Sequence, residues 1–497
     1  MERLRFAPSP TGPLHIGGLR TALFNYLYAL KNKGQFILRI EDTDQNRIKK
    51  GSEKHIVESL RWCGITYSEG PDKKGGFGPY RQSERGTIYS EQVSTLLDKK
   101  KAYYAFDSSE SLNKLREEKE ANGEKFLYSS QNRMLLKNSL NMSKKDVDFL
   151  IKKKVPYVIR LKVEGNKTLI CKDELRNAIS FNSRDVEDKI LIKSDGFPTY
   201  HFANVVDDHL MKITTVIRGE EWLPSLPFHS LLYEAFNWKK PKFLHLPLIL
   251  KPTGKGKLSK RDGEVEGFPV FPIKWASKNK NICGYKEKGF LASGLINYIS
   301  QLGWSFTKNK EIYSLKGLIP LFEIKSLQKG GAKFDYEKAK WVNAKHIQAL
   351  SIEKLISLSD SKIKKGLAVF KPEEIYEIYS LIKERMILLS DDHSLISFFY
   401  KDPQSYLASD IKKINSSTLV ATIINLENLL SGLDNIKILK DSIYNYCKDE
   451  GVKFGHALKI LRLAIIGSLS GPDIIKVLEL IGKISALRRL KNLKNFI

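Results

Sequence analysis

A chain of 497 residues with 42% hydrophobic and 28% charged content has the composition of a folded globular protein and the length for about three domains. Its formal net charge of +27 points to a polyanionic partner, most often nucleic acid, against the plainer reading of a lysine-rich bias with runs such as Lys152-Lys153-Lys154. Cys63, Cys171, Cys283 and Cys447 stand far apart with no C-x-x-C pair, which argues against a zinc ribbon and suits a reducing compartment, and no apolar run approaches the roughly 20 residues of a membrane span.

In chain order, "RLRFA" alternates and ends in a proline-rich turn, so it reads as a short strand. Leu19, Leu23, Tyr26, Leu27 and Leu30 then recur at spacings of 3 and 4, which predicts a helix closed by Lys31, Lys33 and Gly34. "QFILRI" follows as a second strand. Strand, Gly/Pro-rich loop, helix and strand make a βαβ unit, hence an α/β class with a parallel sheet. The stretch "APSPTGPLHIGG" thus falls between a strand end and a helix start, where free amides and the helix dipole favour an anion. Gly12, Gly17 and Gly18 allow a ligand near the backbone, and His15 can donate to a phosphate oxygen. A histidine beside such a turn is, by itself, more often structural. Neither G-x-x-x-x-G-K-[ST] nor G-x-G-x-x-G occurs, which disfavours a P-loop enzyme or a simple dehydrogenase.

"EDTD" at 41–44 follows the second strand. Thr43 and Asp44 suit capping of the next helix, whereas Glu41, adjacent to the strand, is the ligand candidate. Ser68–Arg85 and Lys251–Phe268 read as long loops. The second contains "KPTGKGKLSKRDGE", with Lys255, Lys257, Lys260 and Arg261, and is a mobile polyphosphate-binding loop or a solvated surface run. Near the carboxyl end, 454–472 and 477–493 pattern as amphipathic helices broken at Gly471-Pro472. Arg462, Arg488, Arg489, Lys491 and Lys494 form a basic face there.

Taken together, "PSPTGPLHIGG" resembles the HIGH signature of class I aminoacyl-tRNA synthetases, and "KLSKR" at 257–261 resembles their KMSKS signature, about 240 residues later. With "RIEDTD", "GPYRQSER", "LKSDGFPTYHFANVVDDHL" and "VIRGEEWLPS" between them, the chain is similar over nearly its whole length to bacterial-type glutamyl-tRNA synthetases. Gly18 stands where the signature has its last histidine. The resemblance implies a Rossmann-like catalytic domain with an inserted acceptor-end-binding domain, followed by an all-helical anticodon-binding region. The implied segments are 1–98 and 192–252 for the two catalytic halves, 99–191 for the insertion, 253–330 for the KLSKR loop and stem-contact domain, and 331–497 for the helical region.

It also implies a two-step reaction. Glutamate attacks the α-phosphate of ATP, accompanied by Mg²⁺, and the tRNA terminal ribose then takes the glutamyl group with no covalent enzyme intermediate. His15, Lys257 and Lys260 are matched to catalysis on the phosphates. Arg5 is matched to the substrate side-chain carboxylate, Glu41 to its ammonium and Arg218 to its α-carboxylate, with Tyr200, Ala7, Ser9 and Asn204 completing that pocket. Gly17, Gly18 and Glu221 are matched to the nucleotide. Some relatives bind zinc through cysteines near the start of the insertion. Here Tyr103, Tyr104 and Phe106 stand in that neighbourhood, so no zinc is expected. Arg385, in "LIKERMILLSDD", is matched to the arginine that reads the third anticodon base, or else is a surface helix charge. The expected partners are tRNA-Glu, L-glutamate and ATP, for a cytoplasmic monomer without membrane attachment. The alternatives are an enzyme that also charges tRNA-Gln and an inactive tRNA-binding relative.

Overall fold

"RLRF" forms the strand Arg3–Phe6, which runs parallel to Gln35–Leu38 with Leu4 opposite Phe36 and Arg5 opposite Ile37. Helix Ile16–Lys31 joins them and buries Leu19, Leu23, Tyr26 and Leu27, four of the five predicted apolar positions, while Leu30 is half-buried. It begins three residues before Leu19 because His15 caps it. Gly34 ends the unit: a Cβ there would collide with the Glu2 carbonyl. The structure, a computed structural model, describes residues 1–277, 280–306, 310–414, 419–433 and 438–497.

A second parallel pair, Thr215–Gly219 with Lys242–Leu246, lies on the other side of the first strand. Thr214 N–H donates to Arg3 O at 3.0 Å, and the fully buried Asn25 donates from the helix to Ile217 O at 3.0 Å. The winding therefore reverses between Arg3–Phe6 and Thr215–Gly219. In such sheets the crevice at the carboxyl ends of the switch strands receives the ligand.

Between the two halves lies a three-stranded antiparallel sheet of Ala102–Ala105, Val158–Leu161 and Ile190–Ile192, with a hairpin of Thr168–Asp173 and Asn177–Asn182. Tyr103 donates to Asp188 Oδ2 at 2.7 Å, and Tyr104 and Phe106 pack on Tyr157 at ring-centroid distances of 5.1 and 6.0 Å. These aromatics fill the start of the insertion as core side chains.

One loop expectation and one capping expectation need correction. Within Lys251–Phe268 the structure contains a helix, Lys260–Glu266, ended by Gly267 at φ 78°. Asp262 accepts from both the amide and the hydroxyl of Ser259, at 2.8 and 2.6 Å. The Ser-x-x-Asp spacing is a helix-start device that the surrounding glycines and lysines mask. Thr43 and Asp44 cap no long helix: Asp44 precedes the short turn Gln45–Arg47 without a side-chain cap bond, and the next helix, Ser52–Trp62, follows Gly51. Asp42 instead accepts from the amide and hydroxyl of Ser83, at 2.8 and 2.6 Å.

The chain divides into two units, Met1–Tyr285 with Leu295–Tyr336, and Lys286–Gly294 with Glu337–Ile497. In the second, every described element from Ile352–Leu358 to Ile474–Lys494 is helical. Phe454–Ile466 and Ile474–Lys494 occupy the two expected amphipathic spans, but Gly482, at φ 76°, kinks the latter. The expected basic face is partly internal. Arg489 is 1% exposed and donates to Asp402 Oδ1, Phe398 O and Ile465 O, Arg488 pairs with Asp402, and Lys494 pairs with Glu427. Arg489 is therefore a core tie rather than a phosphate contact, because its burial leaves no guanidinium surface for a partner. No helix among the described residues is long and apolar enough to cross a membrane.

Candidate active site

A cleft of about 620 Å³ opens at the carboxyl ends of Arg3–Phe6 and Thr215–Gly219. That volume suits a small-molecule site. Arg5 and Arg218 enter it from these strands, Ala7 and Ser9 from the loop leaving the first, and Glu41 from beyond the neighbouring strand. Tyr200 and Asn204 come from helix Tyr200–Leu210, and Glu221 from the turn after Thr215–Gly219. His15, Gly17 and Gly18 come from the start of the first helix, and Lys257 and Lys260 from the basic segment. Arg385 belongs to the helical unit and ends the short turn Lys383–Arg385.

At one end the groups suit phosphate. His15 Nδ1 accepts from Gly17 N–H at 3.1 Å, so its proton sits on Nε2, which is buried without a partner among the described residues. Burial, then Lys260 and Lys257, push its pKa down to about 4, leaving a neutral N–H donor at physiological pH. Ile16 N–H is already bound to Val270 O at 3.0 Å, so the helix start offers fewer free amides than expected and the lysines carry the anion attraction. Lys260 Nζ sits 5.4 Å over the Phe271 ring and would lie 3.2 Å from a Cβ on Gly12. Burial and Lys49 hold its pKa below the usual range, and among the described residues no carboxylate pairs with it. Lys257 differs: it is mostly exposed and bound to Glu221 at 2.8 Å. A Cβ on Gly18 would meet the Leu14 Cδ1 methyl at 2.9 Å.

At the other end the groups suit an amino acid with a second carboxylate. Arg5 Nε and Nη2 donate to Asp208 at 2.9 and 3.2 Å, leaving its Nη1 without a bond among the described residues. Arg39, fully buried, donates to Asp208 at 2.8 Å and to Glu41 Oε1 at 3.0 Å, and Asn204 donates to the same Oε1 at 2.8 Å. Glu41 Oε2 stays unbonded among the described residues. Burial raises the Glu41 pKa, with Arg39 and Arg5 offsetting part of the rise. Tyr200 stacks on Trp222 at 4.3 Å. Burial lowers the Arg218 pKa, and Arg218 donates to His245, His229 and the Trp222 carbonyl.

Several supporting residues escape a reading of local pattern. Asp207 accepts from Arg85 at 2.7 Å, Gln82 at 2.8 Å and Tyr89 at 2.9 Å, which ties "YRQSER" to "VVDDHL" under the cleft floor. His55 takes the Leu14 amide on Nδ1 at 3.1 Å and holds the loop before His15. Arg20 lines the cleft and donates to the Leu302 carbonyl at 3.1 Å. The only sequence signal for Asp207 and Asp208 is a pair of acids inside an apolar helix pattern, where burial without a cation would be costly.

A signature histidine at the first helix and a KLSKR segment on the same parallel-sheet crevice are the marks of a class I tRNA synthetase. Residues 2–341 match the family of class I tRNA synthetases (E and Q), catalytic domain, and 347–494 match an anticodon binding domain. The chain is 46% identical to a glutamate–tRNA ligase of Christiangramia forsetii over 98% of both chains, and 44% identical to that of Flavobacterium psychrophilum, again over 98% of both. It is also similar to a crystal structure of a glutamate tRNA ligase from Elizabethkingia meningosepticum in complex with its amino acid, at 44% identity and TM-score 0.93, covering 99% of this chain and 98% of the other. The chain belongs to the glutamate–tRNA ligase family.

Proposed function

We propose that this chain is an ATP-dependent ligase that joins L-glutamate to tRNA-Glu through glutamyl-adenylate, as a cytoplasmic monomer. The observation that carries it is one cleft, built by a single chain, with two arginines and a carboxylate at one end and, at the other, a neutral histidine donor beside a lysine that pairs with no carboxylate among the described residues. The free end of the Arg5 guanidinium takes the side-chain carboxylate while Asp208 holds its other edge. A glutamine amide would leave one of those N–H donors facing another donor, which is how such a site rejects the isostere. Arg218 takes the α-carboxylate, and Glu41 Oε2 with Tyr200 takes the ammonium. Ala7 and Ser9 line this end. Gly17, Gly18 and Glu221 receive the nucleotide, and His15 and Lys260 its phosphates.

The α-carboxylate attacks the α-phosphorus and pyrophosphate leaves. The terminal ribose hydroxyl then displaces AMP. Both steps need positioning and charge stabilisation rather than a protein nucleophile. Glu221 is held by Lys257, and Glu41 by Arg39 and Asn204, so the described cleft residues build no cage for a divalent ion. Mg²⁺ enters with ATP, held by its phosphates.

The fivefold division of the chain given above is part of this proposal, as is independence from zinc. The one cysteine of the insertion, Cys171, is buried on its own strand. Full charging activity is expected in a zinc chelator that spares Mg²⁺; loss that added zinc restores would refute it.

The choice of tRNA is assigned to Arg385. It is exposed on a turn fixed by buried Met386, by Asn343 donating to Ile387 O at 2.7 Å and by Gln348 donating to Glu384 O at 3.0 Å. A fixed turn with an exposed guanidinium suits bidentate base reading. Charging of purified tRNA-Glu and tRNA-Gln tests both the activity and this role. Strong preference for tRNA-Glu is expected, and Arg385→Gln should reduce it by about 1–3 kcal/mol. Equal charging of both tRNAs by the unaltered enzyme removes the role from Arg385, and no glutamate-dependent charging of either refutes the function.

A further inference from the structure

Arg5 is oriented by a carboxylate, but Arg218 is not. Its Nε donates to His245 Nε2 at 3.0 Å, its Nη1 lies 3.3 Å from His229 Nδ1, and its Nη2 donates to Trp222 O at 3.4 Å. Both histidines are fully buried. A guanidinium only donates, so each imidazole must accept from it, and each must therefore be neutral with its proton on the other nitrogen. On His245 that nitrogen is Nδ1, which meets Asp173 Oδ2 at 2.7 Å. On His229 it is Nε2, 3.0 Å from His201 Nδ1. Asp173 is itself immobilised: Oδ1 accepts from the amides of Leu175 and Arg176 at 3.0 and 2.8 Å, and Oδ2 from that of His245 at 3.0 Å. Every proton in this chain of contacts has one allowed position.

We propose that His245 and His229 are positioning residues, a neutral two-histidine cradle whose tautomers are set by Asp173 and His201 and which aims Arg218 at the substrate α-carboxylate. The proposal rests on the ligase reading above. A carboxylate in direct contact would orient Arg218 equally well but would offset part of its charge, as Asp208 does for Arg5. Neutral acceptors orient it and leave that charge available. Burial favours the neutral form of both rings, for His229 reinforced by the Arg218 charge, while for His245 the Asp173 carboxylate opposes it without reversing it.

The test is steady-state charging of tRNA-Glu by the full-length enzyme and two variants. His245→Leu is expected to raise the KM for glutamate about 10- to 100-fold, the worth of a hydrogen bond to a charged group, with the KM for ATP little changed; the Tm should fall as well, because leucine leaves the buried Asp173 Oδ2 without its ring partner. His245→Gln, whose amide oxygen can accept in place of Nε2, should recover most of the loss. Nitrogen-15 spectra of histidine-labelled enzyme should give His245 as the neutral Nδ1–H tautomer and His229 as the neutral Nε2–H tautomer. An unmoved glutamate KM, equal defects in the two variants, or the opposite tautomers would overturn the cradle. If the leucine variant does not fold, the glutamine variant and the spectra still decide. An unaltered enzyme that charges no tRNA with glutamate would instead end the ligase reading.

Discussion

Lys260→Ala is expected to slow glutamyl-adenylate formation about 10²- to 10³-fold, or about 3–4 kcal/mol at the transition state, with a much smaller change in the KM for ATP. The geometry sets this asymmetry. Lys260 has no carboxylate partner among the described residues, lies over the Phe271 ring, and lines the same cleft as the buried Nε2 of His15, which has no partner among the described residues. In the proposed reaction its charge is therefore available for the charge that grows on the leaving pyrophosphate. Lys257 gives the internal comparison. It is exposed and already paired with Glu221, so Lys257→Ala should cost less. Glutamate-dependent exchange of pyrophosphate into ATP, measured for both variants in the presence of tRNA, checks the order. An unchanged rate in Lys260→Ala would remove that residue from the chemistry.

Local pattern made the first strand, helix and strand legible, because spacings of 3 and 4 and a closing glycine are properties of the segment itself. It did not make the helix Lys260–Glu266 legible: glycines and like charges on both sides outweighed a four-residue capping signal. The roles proposed for Arg5, Glu41 and Arg218 rest on the resemblance, since a charged residue beside a strand is ordinary in isolation. What holds those residues was hidden for a different reason. Asp208 lies 203 positions from Arg5, and Asp173 lies 72 from His245. No local periodicity carries a contact of that range. The clearest hint was that acids at buried helical positions must find cations somewhere, which says that a partner exists without saying which.

That hidden pairing leads to the largest expected effect on stability. Asp208→Ala should destabilise the catalytic unit by about 3–5 kcal/mol, because it strands the buried guanidinium of Arg5 and takes one carboxylate from that of Arg39. Arg5, Arg39 and Asp208 have side chains 4%, 0% and 2% exposed. Arg39 keeps Glu41, but Arg5 loses the contacts of Nε and Nη2 and has no other bonded carboxylate among the described residues. The glutamate KM should therefore rise along with the fall in Tm, since the freed guanidinium no longer presents a fixed edge to the substrate. Glu58→Ala, which breaks only the exposed pair with Lys54, should change stability by less than about 0.5 kcal/mol and serves as the control. The pH dependence has a definite sign. Burial pushes the Asp208 carboxyl up, but Arg5 and Arg39 more than reverse this, so its folded pKa lies below the usual range. Its contribution is fully present above the unfolded aspartate pKa of about 4 and is lost as pH falls through the lowered folded value. The gap in Tm between the unaltered enzyme and Asp208→Ala should thus be constant near neutrality and narrow only in strong acid. A gap absent at neutral pH would mean that Arg5 and Arg39 are held by something other than this carboxylate.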